Sequence, residues 1–598
     1  MIRRFAVAAF LIACVLCLSS SLALAAEDVL KLVPDAASGF LLINQPGATD
    51  AKLQGLAREM AIPLPPPLMM LKMQSGIKEG MDEKGTIAVV VLPPDTEGAL
   101  PTPIVLIPVT DFAKFIQPFE PQQGADDAAI QVTIMRTQFW ARSIGGYAAI
   151  TDNSHRELLT KTLKLSQEIP AALAPWRQWL ADNDVAGVIL PPGIKRLATK
   201  AREALQRTKS SMEQLGENMK PAVAGFDIYD KIIQAVAGEV SAHGIGLQID
   251  KQNTLRITSR TSLVAGGTFA DLLAQVHPAK ENPLNGLPNG PYVVTGGGVV
   301  SGPMWNAMLK ASAEMTKTMT KATGLSDEQI DKLPKFSFEG MQGVRAMSIS
   351  LGVGKSGESI YANMITVMRV DDAKAFMAAY EKDMKQYGEY LKAAKLPMVQ
   401  PMEVEVSEIG GTPALQITMK APTFPEGQQP PQTAQMMESF FGPGGKVVGW
   451  IVPTGKHNVV MGFVNKDLLQ QTIEAVKQGK PGLADNAEIA KTAALLPPDA
   501  LTVVYLSPQG TIEFVTRILT AILPPTGDVN LPEFPATPPL GYAITAAPNE
   551  LQTSLVVPVE VLRAVMPYAG KVQAMRSGAT TTSPTAPGAG PAAPAKKL

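Results

Sequence analysis

Four short apolar runs beside turn-forming residues predict strands. They lie in LVPDAASGFLLINQ (32–45), VILPPGIKRLA (188–198), LPNGPYVVTGGGVV (287–300) and LPPDALTVVYLS (496–507). Proline fixes φ, and the Asp, Asn or Gly after it suits a turn, so three of the four present a turn that feeds a strand. The second run passes from its Pro-Pro pair directly into a helix.

Three pairs of longer segments recur in the same order. Segments 109–119 and 370–380 each pass from a strand end through Asp, a favoured N-cap, into an amphipathic helix. Segments 147–163 and 457–473 match without a gap, again as strand and then helix. Segments 245–263 and 542–560 each predict a hairpin of two alternating strands around a turn that carries Asn.

The patterns predict an α+β fold that is internally duplicated. Each half has a longer and a shorter module, with mixed or antiparallel sheets covered by helices. The alternative is that such strand and helix passages recur by chance in an α+β chain. The predicted segments are a signal peptide (1–26), a long module (27–185), a short module (186–284), a long module with an insertion (285–490), a short module (491–570) and a disordered tail rich in Pro, Ala and Thr (571–598).

One helix is predicted in the first half alone. After Pro192, the apolar positions Ile194, Leu197, Ala201 and Leu205 follow helical spacing, and the pattern continues to Met219. A helix of some 27 residues would reach about 40 Å at 1.5 Å per residue. We expect a core or interdomain helix, with a partner-binding helix as the alternative.

Composition describes an ordinary globular chain without a strong charge. Of 598 residues, 46% are hydrophobic and 18% are charged, with 53 Lys and Arg against 54 Asp and Glu. A balanced charge offers no field that would gather polyanions, so nucleic acid is not expected as a partner.

The N-terminus predicts export to the periplasm or the extracellular space. Two arginines precede an apolar run, and Ala23 and Ala25 have the spacing of a signal-peptidase site. A lipidated Cys14, or an uncleaved signal that anchors the chain in a membrane, are the alternatives. Cys14 and Cys17 are the two cysteines of the chain, so cleavage would leave a cysteine-free protein without disulfides or thiolate metal sites.

Several motifs match catalytic or nucleotide-binding patterns without their context. GVGKSG (352–357) lies between two predicted strands, and GWIVPTGKHN (449–458) has His457 where a P-loop needs Ser or Thr. VVTGGGVVSGPMWNAML could cradle an anion if Gly296 to Gly298 formed a turn before a helix. A structural crossing is the favoured interpretation of that segment.

Isolated polar and sulfur-containing residues give weaker signals. His155, His243, His277 and His457 lack the spacing of a metal site. Ser75 and Lys78 match S-x-x-K without its companion motifs, which leaves a hydrolase as an alternative. Methionines could bind soft copper(I), although core filling is the commoner use. They cluster at Met60, Met69, Met70 and Met73, and at Met304, Met308, Met315 and Met319.

The insertion in the second half, roughly 385–445, contains the predicted partner contact. Prolines and glycines from Ala421 onward disfavour a continuous helix or central strand. Met436, Met437, Phe440 and Phe441 form an apolar cluster between polar and Gly-rich flanks. Long loops inside compact domains are uncommon unless they bind something or are disordered, so among the segments of this chain we expect a partner contact here. A loop that merely packs its Phe and Met residues on its own domain is the favoured interpretation.

The export signal, the cysteine-free mature chain, the repeated LPPD strand openings and the Pro-Ala tail together resemble a group of uncharacterised exported bacterial proteins built from tandem α+β modules. The resemblance implies no activity, cofactor or catalytic residue. We therefore expect a non-enzymatic protein of the cell envelope or extracellular space that binds an unknown protein or envelope component, or has a structural role, without a cofactor. A hydrolase without a recognisable motif and a carrier of a soft metal or lipophilic ligand are the alternatives.

Overall fold

The computed structural model describes the chain from Ala25 to Arg576 with several gaps. The described ranges are 25–94, 101–122, 129–214, 220–279, 281–300, 339–355, 358–394, 402–421, 444–522 and 531–576, with single positions between 302 and 330 and between 437 and 442. Met304, Met308, Met315, Met319 and Met436 lie outside the described residues.

Helices and strands both contribute heavily, as an α+β fold requires. The helices are α1 (Ala25–Leu30), α2 (Pro46–Glu59), α3 (Pro67–Ser75), α4 (Phe112–Ile116), α5 (Arg177–Asp182), α6 (Pro191–Glu213), α7 (Lys220–Glu239), α8 (Thr268–Leu273), α9 (Ala373–Ala394), α10 (Lys466–Lys477), α11 (Ala487–Ala493), α12 (Pro508–Ile522) and α13 (Val559–Arg576).

The strands are β1 (Gly39–Asn44), β2 (Thr86–Leu92), β3 (Thr102–Pro108), β4 (Ile130–Ile134), β5 (Thr137–Ile144), β6 (Tyr147–Asp152), β7 (Val185–Ile189), β8 (Val240–Ile249), β9 (Leu255–Leu263), β10 (Tyr292–Val299), β11 (Val344–Gly352), β12 (Met364–Val370), β13 (Glu403–Ile409), β14 (Thr412–Lys420), β15 (Lys446–Pro453), β16 (Asn458–Phe463), β17 (Thr502–Leu506), β18 (Leu540–Ala547) and β19 (Glu550–Val557).

The nineteen strands of the described residues belong to one sheet, and every pairing between them is antiparallel. From one edge to the other, the order is β4, β5, β6, β3, β2, β1, β7, β8, β9, β19, β18, β17, β10, β11, β12, β16, β15, β14 and β13. The strands predicted at the four Pro-containing openings are β1, β7, β10 and β17. The hairpins predicted at 245–263 and 542–560 are β8–β9 and β18–β19.

The ladder between β9 and β19 divides the sheet at its centre. Outward from β9 the strands follow as β8, β7, β1, β2, β3, β6, β5 and β4, and outward from β19 as β18, β17, β10, β11, β12, β16, β15 and β14. The second half adds β13 at its edge. Each half thus pairs a strand near its start with strands near its end, which brings β1 against β7 and β10 against β17.

Helices α4 and α9 begin in the same way. The side chain of Asp111 accepts a hydrogen bond from the Lys114 amide at 3.1 Å, and Asp372 accepts one from the Ala375 amide at 2.9 Å. One turn later, the rings of Phe115 and Phe119 lie 5.7 Å apart, as do those of Phe376 and Tyr380. The Asp N-caps predicted from the sequence are therefore present in both helices.

The structure shifts the predicted gapless match of 147–163 with 457–473 by one residue in the two strands. The Val109 amide donates to the Gly146 carbonyl, and the Val370 amide donates to the His457 carbonyl, so His457 occupies the place of Gly146 rather than that of Tyr147. The difference follows from the turns, because two residues join β5 to β6 whereas four join β15 to β16.

The predicted turn at Gly296 to Gly298 is wrong, because these glycines lie inside β10. A Cβ on Gly296 would stand 2.4 Å from the Val503 carbonyl oxygen, and one on Gly298 would stand 2.3 Å from the Thr502 hydroxyl. The glycines therefore permit a close approach of β17 and do not open an anion-binding loop.

Apolar side chains pack on both faces of the sheet around β2, β3 and β6. On one face, Leu42, Val90 and Leu106 are buried with Trp176 and Leu180, which come from the segment before β7. On the other face, Phe115 and Phe119 pack with Val132 and Ala141. Both faces of the sheet therefore contribute to the core in this region.

Candidate partner-binding surface

Helices α6 and α7 form an antiparallel hairpin that connects β7 to β8. Pro191 and Pro192 occupy the first turn of α6, where a missing amide costs no helical hydrogen bond. Gly193 follows because its Cα passes close to β1, and a Cβ there would lie 2.0 Å from the Ser38 carbonyl oxygen. The close passage fixes the start of the hairpin against the sheet.

The expectation of a core or interdomain helix after Pro192 is wrong. Helix α6 has 23 residues, and Gly193 is its one buried residue. The apolar positions Ile194, Leu205 and Met212 are half-buried, and α6 packs mainly on α7, with a smaller contact to β8. Helix α6 therefore needs only one apolar stripe, and its spacing alone could not distinguish a hairpin partner from a protein core.

Two ion pairs join the helices along one side of the hairpin. Arg202 Nε lies 2.5 Å from Asp230 Oδ1, and Lys209 Nζ lies 2.7 Å from Asp227 Oδ1. The hydrogen bond from Arg202 lowers the pKa of Asp230, and the hydrogen bond to Asp227 raises the pKa of Lys209. The pairs also line a groove between the helices that includes Glu203, and this side is polar.

The opposite side of the hairpin carries large apolar side chains in water. Tyr229, Ile232 and Val236 of α7 are 61%, 49% and 44% exposed, and Leu197 of α6 is 57% exposed. With 3.6 residues per turn, Tyr229 lies about 200° around α7 from Asp227, and Leu197 lies about 140° around α6 from Arg202. We call these four residues the apolar side of the hairpin.

The exposed surface continues from the end of α7 to the start of α8. The carboxylate of Glu239 accepts hydrogen bonds from the amides of Thr268 and Phe269, both at 3.0 Å. These bonds hold the first turn of α8 one helical turn beyond Val236. Val264 and Phe269 are themselves exposed, so they extend the apolar side towards the sheet.

Charge on α6 is strongly positive although the whole chain is almost neutral. Its two acidic residues, Glu203 and Glu213, stand against six basic ones: Lys195, Arg196, Lys200, Arg202, Arg207 and Lys209. Lys200 and Arg207 lie about 60° and 80° around the helix from Leu197. The Arg207 side chain also lines the polar groove between the helices. Cations therefore border the apolar side of α6.

A second apolar surface lies at the centre of the sheet. Ile245 of β8 faces Gly187 on one neighbouring strand and Ser259 on the other, and these small residues leave it exposed. Ile257 of β9 and Leu506 of β17 are exposed as well. Within this shelf, the residues that pair with Ile245 and Ile257 across β8 and β9 are Ser259 and Leu247, which are uncharged.

The predicted contact in the insertion has a different environment. Met437, Phe440 and Phe441 are half-buried, and the Phe440 carbonyl accepts a hydrogen bond from the Ser359 hydroxyl at 2.7 Å. The segment thus reaches the loop between β11 and β12. A partner contact through Phe440 and Phe441 stays a prediction, and it would have to use the exposed part of two partly covered rings.

Ser75 and Lys78, which match S-x-x-K, have different surroundings. The Ser75 hydroxyl donates to the Leu71 carbonyl at 2.7 Å within α3, and the Lys78 side chain is exposed beyond the end of that helix. Met69 and Met73, spaced four residues apart, line a surface groove of about 570 Å³ with Lys72 and Glu83. Lys72 and Glu83 form an ion pair there.

The histidines occupy separate places. His155 Nδ1 lies 2.7 Å from the Asp152 carboxylate, and His457 Nδ1 lies 2.8 Å from the Asp371 carbonyl. His243 Nδ1 lies 2.9 Å from the Thr261 hydroxyl, and burial lowers the pKa of this histidine. In the described part of the chain, no three His, Cys, Asp or Glu side chains come together in a way that could hold a metal ion.

No protein-family model, curated protein or solved structure matches this chain. Within the ranges that the structure describes, no helix combines the length and the apolar character needed to cross a bilayer.

The sequence of α7 itself indicates that this helix has two contact faces. In KPAVAGFDIYDKIIQAVAGE (220–239), Phe226, Asp230, Ile233 and Ala237 have the spacing of a face that contacts a neighbouring helix. Tyr229, Ile232 and Val236 form a second apolar stripe beside it. Two stripes on one short helix indicate two contacts, of which α6 satisfies one.

Proposed function

We propose that this chain is an exported, non-enzymatic binding protein of the cell envelope or extracellular space, and that the α6–α7 hairpin is its binding element. The observation that carries the proposal is the apolar side of the hairpin. Exposed apolar side chains grouped on one side of a protein mark interaction sites. In a helix without a further partner, we would expect polar residues at Tyr229, Ile232 and Val236.

The proposal includes an internal duplication, with the hairpin as an addition to one half. The mirrored strand order about β9–β19 and the equal N-caps of α4 and α9 support the duplication. Gly193 and Gly510 support it too, since each begins a helix after β7 or β17 and each would place a Cβ 2.0 Å from a backbone carbonyl oxygen of the neighbouring strand region. The sheet is then a rigid scaffold, and the hairpin supplies the function.

The test is photo-crosslinking in cells that produce the protein. A photoreactive amino acid replaces Tyr229, and in a matched control it replaces Val406, which is exposed on β13 at the far edge of the sheet. We expect position 229 to crosslink to a specific component that position 406 does not reach. Equal crosslinking from both positions, or none from 229, 232 and 236 in a folded protein, would contradict the proposal.

A carrier of a lipophilic ligand is the second candidate, and the shelf at Ile245 and Ile257 favours it. An apolar ligand could lie on the sheet between these strands because Gly187 and Ser259 leave room beside Ile245. Organic extraction of the purified protein followed by mass spectrometry tests this function. A bound lipid that is retained by the wild type and lost from Ile245→Asp is the expected result for a carrier.

A further inference from the structure

The apolar side of the hairpin is bordered by cations, and four acidic groups of α6 and α7 are turned away from it or paired. Asp227 and Asp230 lie on the opposite side, where they pair with Lys209 and Arg202. Glu239 is occupied by two amides of α8. Glu203 pairs with Lys200 at 2.8 Å, and both side chains remain 40% or more exposed.

This separation of charge decides between the possible occupants. A second copy of the hairpin, packed apolar side to apolar side, would bring Lys200 and Arg207 of both copies to the borders of one interface. Like charges there oppose association. An anionic surface gains from the same cations, and the exposed ion pair between Lys200 and Glu203 is weak enough to open in its favour.

The side chains also suit an interface between water and lipid. Amphipathic helices that lie in a bilayer surface combine an apolar stripe with Lys and Arg at its borders, and their stripe enters the headgroup region by a few ångströms. Tyrosine favours this depth because its ring is apolar and its hydroxyl is polar. Leu197, Tyr229, Ile232 and Val236 lie along two antiparallel helices, so all four can contact one flat surface together.

We propose that the apolar side of the hairpin docks on the surface of an anionic phospholipid bilayer, with Lys200 and Arg207 contacting lipid phosphates. The docking is peripheral, since α6 and α7 stay on one leaflet and their polar side stays in water. It rests on the proposed function, in which the hairpin is the binding element, and it specifies the partner of that surface.

The test is flotation of the full chain with vesicles, in which all variants share the same N-terminus. Vesicles contain equal parts of phosphatidylglycerol and phosphatidylcholine, or phosphatidylcholine alone. We expect the wild type to float with the anionic vesicles at low salt and to dissociate as salt rises. The double variant I232E/V236E should reduce the bound fraction at least tenfold, whereas Met73→Glu, at a still more exposed methionine of α3, should not change it.

A second pair of variants tests the cations. K200Q/R207Q should weaken binding to anionic vesicles several-fold and flatten its salt dependence, because fewer lipid phosphates are paired. The control K477Q/K491Q removes two lysines from α10 and α11 and should bind as the wild type does. Circular dichroism of each variant verifies that the hairpin remains helical.

The outcomes separate the two proposals. Binding that is the same for the wild type and I232E/V236E would overturn docking through the hairpin. A folded wild type that binds neither vesicle would also overturn it, and crosslinking of position 229 to a protein would then still support the proposed function. Absence of both vesicle binding and crosslinking from the hairpin would overturn both.

Discussion

The hydroxyl groups of Ser259 and Thr553 lie 2.8 Å apart on facing strands at the centre of the sheet. Ser259 belongs to β9 and Thr553 to β19, and in the described part of the chain no other ladder joins strands β1–β9 to strands β10–β19. Eight residue pairs form this ladder. Whether the two halves unfold together therefore depends strongly on the contacts around it.

The ion pair beside this ladder should contribute measurably to stability. Arg260 Nη2 lies 2.5 Å from Glu550 Oε2, and the two side chains are 11% and 15% exposed. Arg260 also donates to the Pro175 carbonyl and stands over the Trp176 ring. We expect Glu550→Gln to lower the free energy of unfolding by about 2 kcal/mol, because the largely buried Arg260 guanidinium loses its counter-charge.

Urea denaturation followed by circular dichroism measures that change. The matched control is Glu403→Gln, which removes an exposed ion pair with Lys420 in the β13–β14 hairpin and should leave stability unchanged. If both variants denature at the wild-type urea concentration, the Arg260 pair does not stabilise the junction.

Alanine at Gly193 or Gly510 should destabilise the protein. In each case the new Cβ would meet a backbone carbonyl oxygen at 2.0 Å, that of Ser38 or that of Tyr292. Backbone must move to accept it, so we expect a loss of about 2–4 kcal/mol from either variant. Gly238→Ala is the control, since nothing lies within 4 Å of that Cβ in α7 and helix propensity predicts a gain of about 0.5–1 kcal/mol. Equal stability of all three variants would contradict the close approach at the two helix starts.

Local patterns predicted most of the strands, but they did not predict which strands pair at the centre of the sheet. Alternation marked β8 and β9, and Asp111 and Asp372 marked two helix starts, because these signals lie within a few residues of each other. The pairing of β9 with β19 joins residues almost 300 positions apart, such as Ser259 and Thr553, and neither strand contains a residue that specifies the other. Register at such a distance is set by packing of the whole sheet.

The sequence did not distinguish the proposed binding surface from a core helix, for a related reason. Spacing in α6 identified an apolar stripe, but a stripe is the same whether it faces a core, another helix or a membrane. The structure shows α7 against that stripe and leaves Tyr229 and Ile232 in water. At Gly296 the composition was misleading, because a glycine that admits a neighbouring strand and a glycine that forms a turn look alike in sequence.

Stability should fall in mild acid because of His243. Burial lowers the pKa of this histidine, so the folded protein resists its protonation while the unfolded chain binds a proton near pH 6.5. As the pH falls through 6.5 towards the folded pKa, the unfolded state binds more protons and is favoured. We expect the wild type to lose stability over this interval relative to His243→Gln, and NMR titration to give His243 a pKa below 6.5. A pKa at or above 6.5 would contradict the prediction.

The last prediction concerns the predicted export signal and the buried residues that follow it. We expect cleavage near Ala25 or Ala26. The residues that follow belong to the core, because Val29 and Leu30 are fully buried beside Leu32. A chain that begins at Glu27 should therefore keep the thermal stability of the native protein, whereas one that begins at Lys31 should lose about 3–6 kcal/mol with the two buried side chains. Thermal denaturation compares the two forms, and N-terminal sequencing of the exported protein identifies the native start. A native chain that begins at a lipid-modified Cys14, or a start at Lys31 without loss of stability, would contradict this account of the N-terminus.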